Sequence, residues 1–514
     1  MLPITLRRHA LLLIPLLLML IGTVPVLADA QPATPAGHLE AILPEWRDEL
    51  SAVLTEVAAE YTIDAEVVLA DRDSRQPRVH GVMTVEYTNT TGTPLEMLPF
   101  RLYANGPGEG KVLTVSTVTL AGELVEPEVS ADRTIVTVPL DPSLQPGETA
   151  TVEMTFDLAM PVDSRSHYGI LNLDPERGTW AMAGWYPILA GWTEERGWVL
   201  DPPSKFGDPI FSNMAAYALT LRTPAGWHAV TTGVVTEKQT TSSTTDWQVV
   251  SGPVRDLTMV LDADFESVER EVDGTLITSY YNPGDERVGQ AVLDYAAQSL
   301  AYFNEIIGPY PYTTLDLAPV ELFGAAGVEF PTLIYMGASY YTSDRDLSPP
   351  NSLDFTVAHE VAHQWWYSMV GNNQYDHAFI DEGLTNYMSS ELYFEAMYGE
   401  EAADYMVERY LSGPFHSHVT SGNDQVVNTP TDDFPSSGAY SFAAYSKAPL
   451  GFKAIHDEIG HDAFLDGVQR YYREHRFDIA TPDDLLAAFE AAAGRDLDAL
   501  WNHWFEETAG EDDI

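Results

Sequence analysis

The sequence contains no cysteine and is poor in basic residues. Across its 514 residues, 26 Lys and Arg are outnumbered by 77 Asp and Glu, which gives a formal net charge of −51. Without thiols the chain forms no disulfide, and any bound metal must be held by histidine and carboxylate side chains. A surface this acidic repels nucleic acid and anionic membranes, so neither is an expected partner.

Long apolar runs are also scarce, and the longest lies at the N-terminus. Residues 10–21 are apolar, follow two arginines, and precede an Ala-Asp-Ala sequence at 28–30. A charged start, a short apolar run and an A-x-A site are typical of a secretory signal peptide. We therefore assign residues 1–30 to a signal peptide and expect an exported protein, secreted or retained at the cell surface or in the periplasm. The alternative is an uncleaved segment that anchors the chain in a membrane.

The next part of the chain changes from helical to β periodicity. Residues 31–60 combine a Pro/Ala-rich linker with apolar residues at helical spacing from Leu39 to Val57, which predicts one amphipathic helix. Residues 61–268 contain short β-rich runs between turn residues, which is typical of an antiparallel sandwich or saddle-shaped sheet. The strand predictions are 79–89, 133–140, 150–159, 216–224 and 246–252.

Helical patterns dominate the second half, residues 269–514. The predicted fold class is therefore multidomain α+β, with an all-β part first and a helical part second. The helix predictions are 288–307, 352–367, 382–398, 402–411, 444–459 and a final pair within 463–504.

The decapeptide VAHEVAHQWW at 357–366 carries the clearest chemical signal. Residues four apart lie on the same face of an α-helix, so His359 and His363 can point at one atom. Glu360 is rotated by about 100° from His359, which places it beside that atom but outside its inner shell. This is the H-E-x-x-H zinc arrangement, in which the glutamate is the general base. The plainer alternative is a surface helix with two solvated histidines.

A catalytic zinc needs a third protein ligand and an open position for water. Glu382 follows His363 by 19 residues in FIDEGLTNYM, which has the pattern of a helix with Glu382 in its first turn. That spacing allows a helix, a loop and a return, so Glu382 can reach the face that bears the histidines. Two histidines and one glutamate are a known catalytic set, and we expect one zinc ion per chain.

Taken in order, these motifs resemble those of the gluzincin aminopeptidases, the family of aminopeptidase N and leukotriene hydrolase. HEVAH is followed after 18 intervening residues by the glutamate of DEG, as in that family. IIGPYPYTTLDLAPV (306–320) is similar to the family's Gly-x-Tyr-Pro strand, AGVEFP (326–331) to its Gly-x-Met-Glu-Asn exopeptidase motif, and AYSKA (444–448) to its Tyr-x-Lys-Gly segment. The resemblance covers about residues 60–505 and is most specific within 306–450.

The resemblance implies a β saddle domain, a thermolysin-like zinc metallopeptidase domain and a short helical C-terminal part. It implies catalytic roles for Glu360, which would accept a proton from water, and for Tyr445, which would bind the oxyanion. It also implies that Glu329 binds the substrate's free α-amine. These roles are chemically sound, because a carboxylate can take a proton from an activated water, and a phenol is a neutral donor to developing negative charge. A carboxylate opposite the amine fixes the peptide register, so that cleavage follows one residue.

The sequence departs from the family pattern within these motifs. Val328 and Phe330 replace the methionine and asparagine of the exopeptidase motif, and Ala448 replaces the glycine of the Tyr-x-Lys-Gly segment. Family members also place a second glutamate or glutamine from the β domain against the α-amine. Glu194 and Glu195 are the candidates for that position.

Two assignments keep alternatives: Tyr440 competes with Tyr445 as the oxyanion donor, and Glu329 could be a structural salt-bridge partner. We expect an exported zinc metallopeptidase that acts on peptides and releases N-terminal residues. The alternatives are an endopeptidase, a hydrolase of non-peptide substrates, or a non-catalytic scaffold that keeps the fold. The sequence does not indicate an oligomeric state.

Overall fold

The computed structural model describes residues 35–70, 76–106, 110–202, 204–342 and 344–514. The predicted signal peptide at 1–30 lies outside these ranges, as do residues 31–34 of the predicted linker. Among the described residues, no helix combines the length and apolar character needed to cross a bilayer.

The N-terminal segment differs from the single amphipathic helix predicted for it. It folds as a short helix α1 (Pro35–His38), 3-10 turns at Leu39–Ala41 and Pro44–Trp46, and helix α2 (Arg47–Glu56). Between the turns, Ile42 has an extended backbone (φ −114°, ψ 134°) and forms an isolated β-bridge with Tyr312. Pro44 adds to the break, because proline disfavours the helical conformation in the residue before it. A tertiary contact thus overrides the helical periodicity.

The described part of the first half is built from β-strands. The five predicted strand segments overlap the second, seventh, eighth, fourteenth and seventeenth strands in the order given next. In chain order the strands are β1 (Ala59–Val68), β2 (Arg78–Thr88), β3 (Leu95–Arg101), β4 (Leu113–Leu120), β5 (Glu123–Leu124), β6 (Glu128–Val129), β7 (Ile135–Leu144), β8 (Thr149–Ala159), β9 (Leu171–Leu173), β10 (Trp180–Met182), β11 (Ile188–Leu189), β12 (Trp192–Thr193), β13 (Gly197–Trp198), β14 (Ala215–Pro224), β15 (His228–Thr231), β16 (Val234–Thr240), β17 (Thr244–Val250) and β18 (Met259–Asp262).

One large sheet takes the strand order β16-β17-β14-β1-β2-β8-β4-β5. Its neighbours are antiparallel except for the parallel pair β1 and β14. Buried and half-buried residues alternate along β1, because successive side chains of a strand point to opposite faces. Two four-stranded sheets, β15-β18-β10-β9 and β11-β3-β7-β6, and a β12–β13 hairpin pack with it. The predicted antiparallel architecture is confirmed, with one parallel pair that the sequence did not indicate.

The second half begins with a five-stranded mixed sheet. Its strands are β19 (Glu266–Val272), β20 (Thr275–Tyr281), β21 (Thr314–Val320), β22 (Gly327–Phe330) and β23 (Leu333–Gly337), in the order β19-β20-β21-β23-β22. Helix α3 (Glu286–Ile306) packs against β19 and β20, and helix α4 (Ser352–Ala362) contacts the edge strand β22. The predicted boundary between residues 268 and 269 falls inside β19, all of whose pairing partners lie in the second half.

The remainder is helical, as predicted, and several helices are interrupted by π-helical turns. The turns are Met388–Tyr393, Glu408–Ser412, Ala443–Lys447 and Asn502–Glu506. The helices are α5 (Gln374–His377), α6 (Phe379–Tyr387), α7 (Phe394–Tyr398), α8 (Glu400–Val407), α9 (Gly413–Thr420), α10 (Ser437–Phe442), α11 (Ala448–Ile459), α12 (His461–His475), α13 (Pro482–Ala493) and α14 (Asp498–Trp501).

A buried arginine, Arg255, joins the two halves from the segment between β17 and β18. Its guanidinium donates hydrogen bonds to the carbonyl oxygens of Tyr367 at 2.5 Å, Asp478 at 2.7 Å and Met369 at 3.2 Å. A Cβ atom on Gly371 would lie 2.1 Å from the Arg255 Cζ atom, so only glycine fits there. These contacts fix the chain shortly after α4 against the β region.

Candidate metal centre and active site

Helix α4 carries both predicted metal-ligating histidines on one face. Asn351 caps its N-terminus, because the Asn351 side chain accepts hydrogen bonds from the backbone N–H groups of Leu353 and Asp354 at 3.0 Å. Near the other end, the Nε2 atoms of His359 and His363 lie 3.2 Å apart. Both imidazoles are buried, so the alternative of a solvated surface helix is wrong.

Glu382 reaches the same point from α6, where it lies in the first turn. Its Oε2 atom is 3.3 Å from Nε2 of His359 and 3.3 Å from Nε2 of His363. Nδ1 of His363 lies 3.1 Å from the carbonyl oxygen of Trp366, and such a contact orients a metal-binding imidazole. Although burial disfavours its charge, the two imidazoles hold the pKa of the Glu382 carboxyl well below its ordinary value. The three side chains form a nearly equilateral triangle of ligand atoms.

This triangle fits a tetrahedral metal ion. With metal–ligand distances of about 2.0–2.1 Å, the ligand atoms of a tetrahedron are about 3.3 Å apart. The sides of the triangle measure 3.2, 3.3 and 3.3 Å. Oε2 of Glu382 is buried and has no hydrogen-bond partner within the described residues, as expected of an atom that binds a metal. Two imidazole nitrogens and one carboxylate oxygen suit zinc and leave a fourth position open.

The carboxylate of Glu360 lies beside the triangle. It rests against β22, since a Cβ atom on Gly327 would lie 2.4 Å from Oε1 of Glu360. Burial raises the pKa of Glu360 to about 8, with a lowering contribution from His363 and further raising contributions from Glu382 and Asp208. A carboxylate with raised proton affinity is suited to accept a proton near neutral pH.

Of the two competing tyrosines, Tyr445 is the one that contacts a predicted metal ligand. It lies in the π-helical turn before α11, and its hydroxyl donates a hydrogen bond to Oε1 of Glu382. Burial, followed by the charge of Glu382, raises the pKa of Tyr445 well above its ordinary value, so the phenol keeps its proton. The Tyr440 hydroxyl faces Gly207 instead, where a Cβ atom would lie 2.6 Å from it.

Two further carboxylates face the same space, and only one of them was predicted. Glu329 lies in β22, with Oε1 3.8 Å from Nδ1 of His363. Asp208 follows β13 and is half-buried. Burial is the largest cause that raises the pKa of Glu329 well above its ordinary value, and the charge of Asp208 is the next largest. Burial, with a smaller contribution from the charge of Glu382, raises the pKa of Asp208 to about 7. In the described ranges neither carboxylate pairs with a lysine or arginine, and the ion-pair contact of Glu329 is with the predicted metal ligand His363.

The candidates named for the second amine-binding carboxylate do not line the cavity that contains the metal triangle. Glu194 and Glu195 are exposed in the turn between β12 and β13, away from the metal triangle. Asp208 lies in a suitable place instead. Its context, FGDP, carries only a turn signal, so no local pattern distinguishes it from the other acidic residues of the chain.

These groups open into one cavity of about 420 Å³ at the junction of the two halves. That volume is within the range of pockets that bind small ligands. Because both halves contribute side chains, the packing of the β region against the helices shapes the site. The lining residues are Tyr168, Gly207, Asp208, Gly324, Ala325, Ala326, Gly327, Val328, Glu329, Phe355, Thr356, His359, Glu360, Glu382, Asn386, Ser437, Tyr440, Ser441 and Tyr445.

The fold and the site define a gluzincin type of centre, with two histidines on one helix and a glutamate on the next. Comparison with known families agrees with this class. Residues 291–504 match the model described as "Peptidase family M1 domain". This part of the chain is similar to that family, and the predicted resemblance to the gluzincin aminopeptidases is confirmed.

Named relatives match over part of their length. Aminopeptidase 2 of Candida albicans is 28% identical over 243 residues, which cover 44% of this chain and 25% of that protein. Mitochondrial aminopeptidase 2 of Saccharomyces cerevisiae is 26% identical over 250 residues, covering 47% of this chain and 26% of that protein. The chain thus spans about a quarter of the length of these curated relatives.

A solved structure shows the same architecture over most of the chain. The M1 zinc metallopeptidase from Deinococcus radiodurans superposes with a TM-score of 0.61 at 17% sequence identity. The superposition covers 87% of this chain and 94% of that chain. The predicted fold, with a β region, a peptidase domain and a helical C-terminal part, is therefore confirmed.

Proposed function

We propose that this protein is a zinc aminopeptidase that releases N-terminal residues from peptides. One observation carries the proposal: a His–His–Glu triangle shares a cavity with Glu329 and Asp208, two carboxylates that lack a lysine or arginine partner in the described part of the chain. The triangle fits zinc, and the carboxylate pair fits the cationic α-amine of a peptide. The names of the two yeast relatives support the same activity.

In this proposal, His359, His363 and Glu382 hold the zinc ion, and Glu360 and Tyr445 act on the substrate. When bound, zinc lowers the pKa of a water molecule from 15.7 to about 7 and polarises a carbonyl group. The Glu360 carboxylate accepts a proton from the attacking water and later gives it to the leaving amine nitrogen. The Tyr445 hydroxyl donates a hydrogen bond to the carbonyl oxygen as that oxygen gains negative charge.

The carboxylate pair determines where the peptide is cut. A cationic amine beside Glu329 and Asp208 forms charge-assisted hydrogen bonds, which are stronger than neutral ones. Burial and the neighbouring carboxylates raise the pKa of both groups, so a bound cation relieves repulsion and favours their charged forms. Holding the amine at a fixed distance from the triangle places the first peptide bond for attack.

N-acetylation of a peptide is expected to slow its cleavage by at least about tenfold, because it removes a charge-assisted contact and adds bulk beside the pair. Glu329→Ala and Asp208→Asn are each expected to lower kcat/KM on the free peptide by about tenfold to a hundredfold. Both variants should reduce the difference in cleavage rate between the free and the acetylated peptide. The initial rates of wild type and of each variant on the free and N-acetylated versions of one peptide measure these changes.

Glu195→Ala is the matched control, since Glu195 is exposed in the β12–β13 turn. This variant should keep the wild-type ratio of rates on the two peptides. Equal wild-type rates on free and acetylated peptide would contradict the aminopeptidase proposal and favour the endopeptidase alternative.

The purified protein is expected to bind one zinc ion per chain at the triangle. His363→Ala should bring the zinc content well below one, because it removes a ligand that is 1% exposed. Elemental analysis after dialysis against zinc at neutral pH gives the stoichiometry. Glu490→Gln is the control, since Glu490 belongs to a separate carboxylate cluster with Asp496 and Asp498. Reconstituted wild-type protein without zinc would rule out the ligand set.

A further inference from the structure

Tyr168 brings an aromatic side chain of the β region into the catalytic cavity, although no sequence motif indicates it. It lies in the turn Ser166–Gly169, between β8 and β9. Its side chain lines the cavity together with Glu329, His359 and Tyr445. A residue from the β region therefore borders the space in which a substrate would bind.

The backbone at Tyr168 has a conformation that bulky residues rarely adopt. Its φ is 61° and that of His167 is 42°, and this left-handed region is unfavourable for residues with a Cβ atom. Two features hold the turn in place. The Phe323 N–H donates a hydrogen bond to the Tyr168 carbonyl oxygen at 2.9 Å. Gly169 also packs closely on Glu321, since a Cβ atom added to Gly169 would lie 2.8 Å from the carbonyl oxygen of Glu321. Strain that the surroundings enforce in this way is concentrated at functional sites.

The Tyr168 hydroxyl is placed to donate a hydrogen bond to a ligand. Its oxygen accepts a hydrogen bond from the backbone N–H of Gly207 at 2.9 Å. Across the described ranges, no acceptor bonds the hydroxyl hydrogen. Burial, followed by the charge of Asp208, raises the pKa of Tyr168 to about 12, so the phenol keeps its proton at neutral pH. Hydrogen bonds in a chain polarise one another, so the bond from Gly207 strengthens the hydroxyl as a donor.

We propose that Tyr168 is a substrate-binding residue whose hydroxyl donates a hydrogen bond to a backbone carbonyl oxygen of the bound peptide. This inference rests on the proposed peptidase function, which places the peptide's α-amine beside Asp208. Asp208 directly follows Gly207, to which the Tyr168 hydroxyl is bonded. The peptide's backbone carbonyl oxygens next to its α-amine are therefore the hydrogen-bond acceptors of the substrate that lie closest to the Tyr168 hydroxyl. The strained turn keeps the phenol in position before the substrate arrives, which reduces the entropy lost on binding.

Tyr168→Phe removes the hydroxyl and keeps the ring. We expect it to raise KM for a free-amine peptide by about fivefold to tenfold, with kcat within about twofold of wild type, because it removes a hydrogen bond made in the ground state. Tyr302→Phe is the matched control, since the Tyr302 hydroxyl donates to the carbonyl oxygen of Leu392, away from the cavity lining. The control should leave both constants unchanged.

Equilibrium binding gives a readout that does not depend on turnover. In the Glu360→Gln background, calorimetric titration with the same peptide should show a Kd about fivefold to tenfold weaker when Tyr168→Phe is added. Unchanged KM and Kd would overturn the proposal, and so would a fall in kcat alone, which would assign the hydroxyl to the transition state. Wild-type protein that cleaves no peptide would refute the proposed function, whereas peptide binding that weakens with Tyr168→Phe would still support this role.

Discussion

Glu360→Gln is expected to keep one zinc ion per chain while kcat falls by about 10²- to 10⁴-fold. The amide has nearly the size of the carboxylate, so the contact with Gly327 and the triangle of predicted ligands should persist. The amide cannot act as the general base, because it lacks the negative charge and proton affinity of a carboxylate. Zinc content and kcat, measured on the same preparation, separate loss of the base from loss of the metal.

The control for this change is Glu321→Gln, the same substitution in a glutamate that pairs with Arg177 at 2.9 Å outside the cavity lining. Its kcat should match that of wild type. If Glu360→Gln kept wild-type kcat with full zinc, another group would have to accept the proton. If it lost zinc as well, Glu360 would be a ligand, and its placement beside the triangle would need revision.

Tyr445→Phe is expected to lower kcat by about 10²- to 10³-fold, the usual effect of removing one oxyanion donor. KM should change little, because this hydroxyl acts on charge that develops only during the reaction. The phenylalanine keeps the ring beside His359, where the ring centroids are 6.1 Å apart, so the packing of the site is retained. Steady-state kinetics with a free-amine peptide measure both constants.

Tyr440→Phe is the paired variant, since its hydroxyl faces Gly207 and not the predicted ligand Glu382. We expect it to affect kcat less than Tyr445→Phe does. A larger loss in Tyr440→Phe would transfer the oxyanion role to Tyr440 and would mean that the contact between Tyr445 and Glu382 is structural.

The metal triangle could be predicted because it depends on short-range geometry. His359 and His363 are four residues apart, and that spacing puts two side chains on one face of any α-helix. Glu382 lies in the first turn of α6, which the composition of its segment indicates. The same reasoning failed between residues 39 and 57, where helical spacing predicted one helix. There, the β-bridge between Ile42 and Tyr312 outweighs the local preference.

The contribution of the β region to the site could not be predicted, because it depends on how the two halves pack. Asp208 and Tyr168 lie in irregular segments whose sequences indicate only turns. They reach the cavity because the segment before Asp208 binds the helical part: Gly207 packs against Tyr440, and Asp432 accepts hydrogen bonds from the residues just before Gly207. Contacts between residues this far apart along the chain leave no periodic pattern.

Arg255 makes the catalytic half dependent on the β half. The match to the M1 family begins at residue 291, inside α3. Arg255 comes before that residue, and so do β19 and β20, two strands of the five-stranded sheet in the second half. A fragment that began there would leave the carbonyl oxygens of Tyr367, Met369 and Asp478 without their buried donor. If another β scaffold buried these oxygens without a donor, each would cost about 1–3 kcal/mol, against a total stability of about 5–15 kcal/mol for a typical protein. The segment that matches the M1 family therefore cannot be transferred alone to another β scaffold. That scaffold would have to place an arginine where Arg255 lies.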